Sequence, residues 1–300
     1  MTTPYVELKD KYGNSIVFGN LGDLLIPPFP AIQDFRQHKQ DIREMDLKSD
    51  DVFITGYLKT GNNWHHEIVH MLVAGSLEYN KEFIGRHFLE YSPPQKGDNP
   101  PGSPPRVFFT HLKFHHLPKQ VFEKKTKLIH LDRNPKDTWV SLYNHTNGRK
   151  GTVGYEGTWN QFFDLMISGF GYWYGDWFDH VLGWEEVIKT QTQVPIFTSV
   201  FEDMKKDPVG QIEKLDQFLG TNRGRQLCEQ IADACSFTKM KEVKQIPPEI
   251  KNKMFKENAS FYRKGEVGDW KNWFTVAQNE LFDEVYKKRM TGSSLRYTFV

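Results

Sequence analysis

Residues 51–72, DVFITGYLKTGNNWHHEIVHML, have the make-up of an anion-binding turn. Gly56 and Gly61 bracket it, where a backbone without Cβ can come close to a ligand, and Lys59 adds a cation between them. Val52, Phe53 and Ile54 ahead of the turn form a short β-type apolar run, and Trp64, Ile68 and Leu72 behind it recur at helical spacing. A helix starting there presents free N–H groups and the positive end of its dipole to an anion. The Gly56-x4-Gly61 spacing is that of a nucleotide-phosphate loop, but Asn62-Asn63 stands where Lys-Ser/Thr would be, so the usual magnesium-binding hydroxyl is missing. The spacing predicts a phosphate-like ligand held without an evident magnesium ligand. An ordinary structural turn is the alternative.

A second anion site is predicted in Leu128–Ser141, LIHLDRNPKDTWVS. An apolar strand delivers Arg133 to its end, Asn134 can cap the following helix, and Pro135 suits its first position. Ser141 follows two helical turns on. Arginine grips phosphate with a bidentate fork, although pairing with Asp132 or Asp137 would also account for it. Residues 261–275, FYRKGEVGDWKNWFT, place Arg263, Lys264, Gly265 and Gly268 in a loop able to wrap phosphate, or an ordinary charged surface loop. His111 directly follows the strand Val107–Thr110, at the strand end where α/β proteins place ligands, and an imidazole there can take a proton near neutral pH. Seven other histidines (His65, His66, His70, His115, His116, His130, His145) read as solvated, core or locally hydrogen-bonded residues.

These groups need a scaffold. Strands are predicted at Val107–Thr110, Lys127–Asp132 and Val194–Phe201, and helices at Asn63–Val73, Lys136–Asn144, Pro208–Leu219, Gly224–Ala234 and Val276–Met290. Their alternation predicts one α/β domain over residues 1–300, with a mainly parallel sheet covered by helices on both faces. The proline-rich stretch Ser92–Pro105 and the glycine-rich residues 145–158 read as loops.

With 39 basic and 38 acidic residues, no bulk field favours nucleic acid or an anionic membrane, so any anion site is local. Cys228 and Cys235 provide neither a disulfide framework nor a four-ligand zinc pattern, and no metal centre is predicted. The N-terminal residues carry no apolar signal core or transit segment, which makes a cytoplasmic location the default expectation.

Four segments in order resemble the cytosolic sulfotransferase family, which uses 3′-phosphoadenosine 5′-phosphosulfate (PAPS) and releases 3′-phosphoadenosine 5′-phosphate (PAP). Gly56 through Trp64 looks like the family's Y-P-K-S-G-T-T-W loop, and Thr110-His111-Leu112 like its K-T-H-L segment. Arg133-Asn134-Pro135-Lys136-Asp137 with Ser141 looks like R-N-x-K-D-x-x-x-S. Arg263-Lys264-Gly265 with Gly268-Asp269-Trp270-Lys271-Asn272 looks like R-K-G-x-x-G-D-W-K-N. The resemblance implies a P-loop-like strand–loop–helix in which Lys59, Thr60, Gly61, Asn62 and Asn63 hold the 5′-phosphosulfate. It implies that Lys59 stabilises the leaving phosphate oxygen and that His111 takes the proton of the attacking hydroxyl or amine. Arg133, Ser141, Arg263, Lys264 and Gly265 would hold the 3′-phosphate, with Trp64 and Phe237 around the adenine and Phe201 and Cys235 nearby. Lys271-x3-Thr275-Val276-x3-Glu280 looks like the family's homodimer contact.

The chain departs from the pattern at several points. Phe109 stands where the family has lysine, Asn62-Asn63 replace two threonines, Phe201 replaces tyrosine, Cys235 replaces threonine or serine, and Asp132 adjoins Arg133. A sulfotransferase acting on a small acceptor is therefore the leading expectation. A catalytically weak homologue that binds PAPS or PAP is the second, and a nucleotide kinase or NTPase, which would need a metal-binding hydroxyl after the loop, is the third. Pro28, Phe29, Phe88, Tyr91, Phe114 and Tyr174 are the candidates to line an apolar acceptor pocket, suited to phenols, steroids or aromatic amines, while the polar loops at 92–105 and 145–158 could instead admit something more hydrophilic.

Overall fold

The computed structural model describes residues 5–91, 105–257 and 259–300. An antiparallel sheet opens the chain, with β1 (Tyr5–Lys9), β2 (Ser15–Asn20) and β3 (Leu25–Ile26) in that order. The β1–β2 turn closes on Asp10, whose carboxylate accepts from the amides of Tyr12 and Asn14 at 2.9 Å each. This sheet was not among the predicted strands.

The central sheet is wholly parallel and runs β5 (Val107–Thr110), β4 (Val52–Gly56), β6 (Lys127–Asp132), β7 (Ile196–Val200). The predicted strand Val194–Phe201 is shorter than expected. Pro195 has no N–H for the ladder, and Phe201 already opens the helix Phe201–Lys206. Alternation along β4 and β5 feeds two cores. Phe53 and Phe108 pack on one face, while Val52, Ile54, Val107 and Phe109 pack on the other.

The helices Asn62–Ala74, Pro208–Leu219 and Arg225–Ala234 cover the second face, whose core takes in Ile68, Leu72, Ile212 and Ile231. Helices Pro135–Asn147, Trp159–Ile167, Trp177–Thr190 and Val276–Arg289 cover the first, around Trp139, Phe162, Trp177 and Phe282. The expected arrangement of helices on both sides of a parallel sheet is thus observed.

Residues 145–147 continue the helix from Pro135 instead of beginning the expected loop, and Gly151–Val153 adds a short 3₁₀ turn. The stretch 92–104 lies outside the described residues. Among the described residues no helix is long and apolar enough to cross a membrane.

The strand order places the site. The chain leaves β4 to form β5 on one side of it and β6 on the other, so a crevice opens at the carboxyl ends of these strands. Gly56, His111 and Arg133 follow or end β4, β5 and β6, and Phe201 follows β7.

Candidate active site

A cavity of about 330 Å³ occupies this crevice. Its first wall is the turn after β4. Gly56 (φ 153°), Lys59 (φ 69°) and Gly61 (φ 110°) take left-handed backbone, and a Cβ on Gly56 would lie 2.6 Å from the Leu131 carbonyl. Gly61 leads into the helix Asn62–Ala74 with no side-chain cap, which leaves its first N–H groups for a ligand. The Thr60 hydroxyl turns into the loop, donating to the Tyr57 carbonyl at 2.8 Å, so this predicted ligand-binding side chain does not line the cavity. Asn62 does, and its Nδ2 is buried with no partner among the described residues. An orphaned donor at an uncapped helix start fits an anionic group.

The ends of β5 and β6 supply the next groups. His111 Nδ1 faces the Gly56 carbonyl oxygen at 2.8 Å. A carbonyl can only accept, so Nδ1 carries the hydrogen and Nε2 is the unprotonated nitrogen. Burial and the nearby Lys59 hold His111 at about 4, so it is neutral near pH 7. Glu90 accepts the His111 backbone N–H at 2.7 Å and anchors this residue, while its own burial pushes it up to about 7. Burial, together with the guanidiniums of Arg149, Arg133 and Arg263, lowers Lys59 to about 7.

Arg133 does not pair with Asp132 or Asp137. It donates to the carbonyls of Lys59 (3.1 Å) and Glu266 (3.2 Å) and lies 4.1 Å over the Phe201 ring, with Nε left over. Asp132 points elsewhere, accepting from the Tyr297 hydroxyl at 2.8 Å and the Arg133 amide at 2.9 Å. Burial pushes its carboxyl up to about 7.

Residues 263–266 form the third wall. Asp269 pairs with Arg263 at 2.6 Å and with Lys264. Burial alone would raise the Asp269 carboxyl, but hydrogen bonds from Lys264, Asn272 and Arg263 hold it at about 2. Asp137 ties this segment to the helix after β6. Its oxygens accept from the amides of Gly268 (2.7 Å) and Trp270 (2.9 Å), and from Asn134 Nδ2 at 2.8 Å. Asn134 caps that helix, accepting from the Asp137 amide at 2.9 Å, and Pro135 occupies its first turn, as predicted.

Of the predicted cofactor-binding residues, Lys59, Gly61, Asn62, Asn63, Trp64, Arg133, Ser141, Phe201, Cys235, Phe237, Arg263, Lys264 and Gly265 all line this cavity. Phe29, Phe88 and Tyr91 line it as an aromatic cluster, with Phe29 at 5.7 Å from Phe88 and 5.4 Å from Tyr91.

Three acceptor-pocket candidates do not line it. Pro28 is buried at the centre of a tight turn in which the Phe29 amide donates to the Pro27 carbonyl at 2.9 Å, and its neighbours Pro27 and Phe29 face the cavity instead. Phe114 packs into the core against Phe122 (5.0 Å) and Trp184 (5.7 Å). Tyr174, held at φ 66°, sits fully buried behind the His111 ring at 5.2 Å, and its neighbour Trp173 takes the lining position.

Sequence reasoning passed over Arg149 and read His145 as a solvated, core or locally hydrogen-bonded residue; both line the cavity, His145 from the last turn of the helix Pro135–Asn147 and Arg149 from just beyond it. Two adjoining cations in GRKG were the available signal, but a loop charge is usually solvated. His65 and His130 behave as expected of core residues, bonded to Ser199 at 2.8 Å and Thr55 at 3.2 Å.

A family model described as the sulfotransferase domain matches residues 49–294. The chain is 38% identical over 281 residues to sulfotransferase 1C2 of Rattus norvegicus, covering 89% of this chain and 91% of that one. It is 34% identical over 291 residues to sulfotransferase 1B1 of Canis lupus familiaris, covering 91% and 94%. Among solved structures, mouse sulfotransferase SULT7A1 complexed with PAP matches with TM-score 0.68 at 28% identity, over 96% of this chain and 95% of that one. Retinol dehydratase, in complex with androsterone and the inactive cofactor PAP, shares the fold at TM-score 0.74 and 18% identity, over 99% of each chain. The matched length and identity, added to the crevice described above, place the chain in the sulfotransferase family, enzymes that draw their sulfuryl group from PAPS.

Proposed function

We propose that this protein moves a sulfuryl group from PAPS to a hydroxyl or amine of a small acceptor, with His111 as general base and Lys59 as the electrostatic stabiliser. The observation that carries the reading is the His111 ring. Its Nδ1 is committed to the Gly56 carbonyl, so Nε2 holds a free lone pair in a cavity shared with Lys59.

PAPS, when bound, supplies the sulfuryl group together with the phosphate on which charge develops. The uncapped helix N-terminus, Asn62 Nδ2 and the Lys59 ammonium would hold that phosphate end, and Lys59 would balance the developing charge. Arg133, Ser141, Arg263, Lys264 and Gly265 would hold the 3′-phosphate, and Trp64 and Phe237 would flank the adenine. His111 Nε2 would receive the acceptor's proton while Glu90, through the backbone, keeps the ring in place.

We assign residues 1–300 to one sulfotransferase domain, place it in the cytoplasm, and propose a homodimer through Lys271, Thr275, Val276 and Glu280. All four are exposed, Val276 to 76%, and Thr275 also caps the helix Val276–Arg289. Their exposure leaves all four accessible to a second copy.

The test is release of PAP from PAPS with an acceptor panel and no magnesium. His111→Ala, verified as folded, is expected to lose about 10²–10⁴ in rate. Wild-type rates in the variant would remove His111 as the base.

One observation favours the second reading, a homologue that binds PAPS or PAP without efficient transfer. Phe109 stacks on Phe88 at 4.6 Å and 4°, where the family resemblance calls for lysine. Tight PAP binding without release on any acceptor would select it.

A further inference from the structure

Among the described residues, Arg149 has no counter-charge. The described cavity wall carries six cations (Lys59, Arg133, Arg149, Lys205, Arg263, Lys264) and one carboxylate, Glu266, which is exposed. Arg263 and Lys264 pair with Asp269, and Arg133 is held by two carbonyls. Arg149 donates Nε (3.2 Å) and Nη2 (3.0 Å) to the single lone pair of His145 Nε2. No described residue forms an ion pair with it, and three of its five N–H donors have no described acceptor.

The guanidinium is nonetheless built into place. It lies 4.8 Å over Phe255 and 6.0 Å from Trp173, both lining residues. Its backbone is pinned as well. Arg149 bridges Phe255, while Lys150 donates to the Met254 carbonyl at 3.0 Å and Lys256 to the Gly148 carbonyl at 2.8 Å. The electrostatic neighbours of Arg149 include Tyr174, whose ring backs His111, and Lys59, so the guanidinium stands near both groups proposed for the transfer.

A partly buried cation, fixed between aromatic faces and facing an apolar space, calls for an anion in that space. We propose that Arg149 is a specificity-determining residue and that the acceptor carries a carboxylate-class anion in addition to its nucleophilic hydroxyl or amine. The assignment rests on the sulfotransferase reading of the same cavity.

The test uses calorimetry on the full chain saturated with PAP. The probes are three phenolic acids of increasing reach, 4-hydroxybenzoate, 4-hydroxyphenylacetate and 3-(4-hydroxyphenyl)propionate, each against its methyl ester. At least one acid is expected to bind about tenfold or more tighter than its ester. Arg149→Met should erase that ratio and Arg149→Lys should restore part of it. If no acid binds more tightly than its ester in the wild type, a comparison that needs no variant, the proposal is overturned. It is equally overturned if Arg149→Met weakens PAP while leaving the acid-to-ester ratio intact, since Arg149 would then serve the cofactor. PAP release from PAPS, run in parallel, separates the two readings. Selective acid binding without release on any probe refutes transfer and leaves the Arg149 assignment standing, whereas release with esters but not acids refutes the assignment alone.

Discussion

The ring of His111, one residue beyond β5, donates from Nδ1 to the carbonyl of Gly56, the last residue of β4, at 2.8 Å. The contact continues the parallel ladder in which Thr55 pairs with Thr110. The position of the proposed base is therefore set by strand register, and its tautomer by a backbone acceptor that cannot change protonation.

Lys59 makes the cofactor step sensitive to mild alkali. Its ammonium is held at about 7 in the free protein, so the charged form is lost as pH rises through 7. kcat/KM for PAPS is expected to fall above about pH 7, and kcat to persist to higher pH because bound phosphate favours the ammonium. His111, at about 4, stays neutral across this range and adds no acid limb above that value. Flat profiles of both parameters from pH 6 to 9 would contradict the assignment.

Gly265 is expected to tolerate no side chain. It has φ 67°, and a Cβ there would meet Phe237 Cδ2 at 2.2 Å. Gly265→Ala adds about 1–2 kcal/mol of left-handed backbone cost and displaces the ring proposed to flank adenine. Equilibrium dialysis should show PAP affinity reduced about tenfold or more, at about 1.4 kcal/mol per decade, with little change in far-UV circular dichroism.

Asp137 anchors the segment proposed to hold the 3′-phosphate. Asp137→Ala strands the amides of Gly268 and Trp270 and is expected to lower stability by about 2–4 kcal/mol. Denaturant melts measure that loss. Because Arg263 and Lys264 lie on the segment Asp137 anchors, PAP binding should weaken in protein that remains folded, and Asp137→Asn, which keeps one acceptor, should fall between the two.

Phe109→Lys separates stability from catalysis. Phe109 is 6% exposed and stacked on Phe88, so the substitution is expected to lower Tm, at a cost of about 1–3 kcal/mol. If the missing donor limits transfer, kcat should rise about tenfold or more. A lower Tm with unchanged kcat would show that the chain manages without a lysine there.

The parts proposed to bind phosphate were legible in the sequence because their information is local. The turn from Gly56 to Trp64, the capped helix start at Asn134-Pro135, and the Arg263-Lys264-Gly265 run each place their groups within a few residues, where chain geometry alone decides direction. β1 to β3 escaped notice because their pairing depends on the rest of the chain covering them.

Which side chains face the cavity was decided only in three dimensions. Pro28, Phe114 and Tyr174 carry the right chemistry but turn toward the core, while Pro27 and Trp173 face the cavity beside two of them. Arg149 sat in a glycine-rich run whose charges read as solvated, until pairing with residues 254–256 folded it over the cavity. The sequence alone pointed to the family, the parallel sheet and the residues proposed to meet phosphate. The tertiary structure decided the tautomer of His111, the lowered pKa of Lys59 and the exposure of Arg149 to the cavity. Each of those depends on burial and on neighbours some 50 to 200 residues away in the chain, which no local spacing encodes.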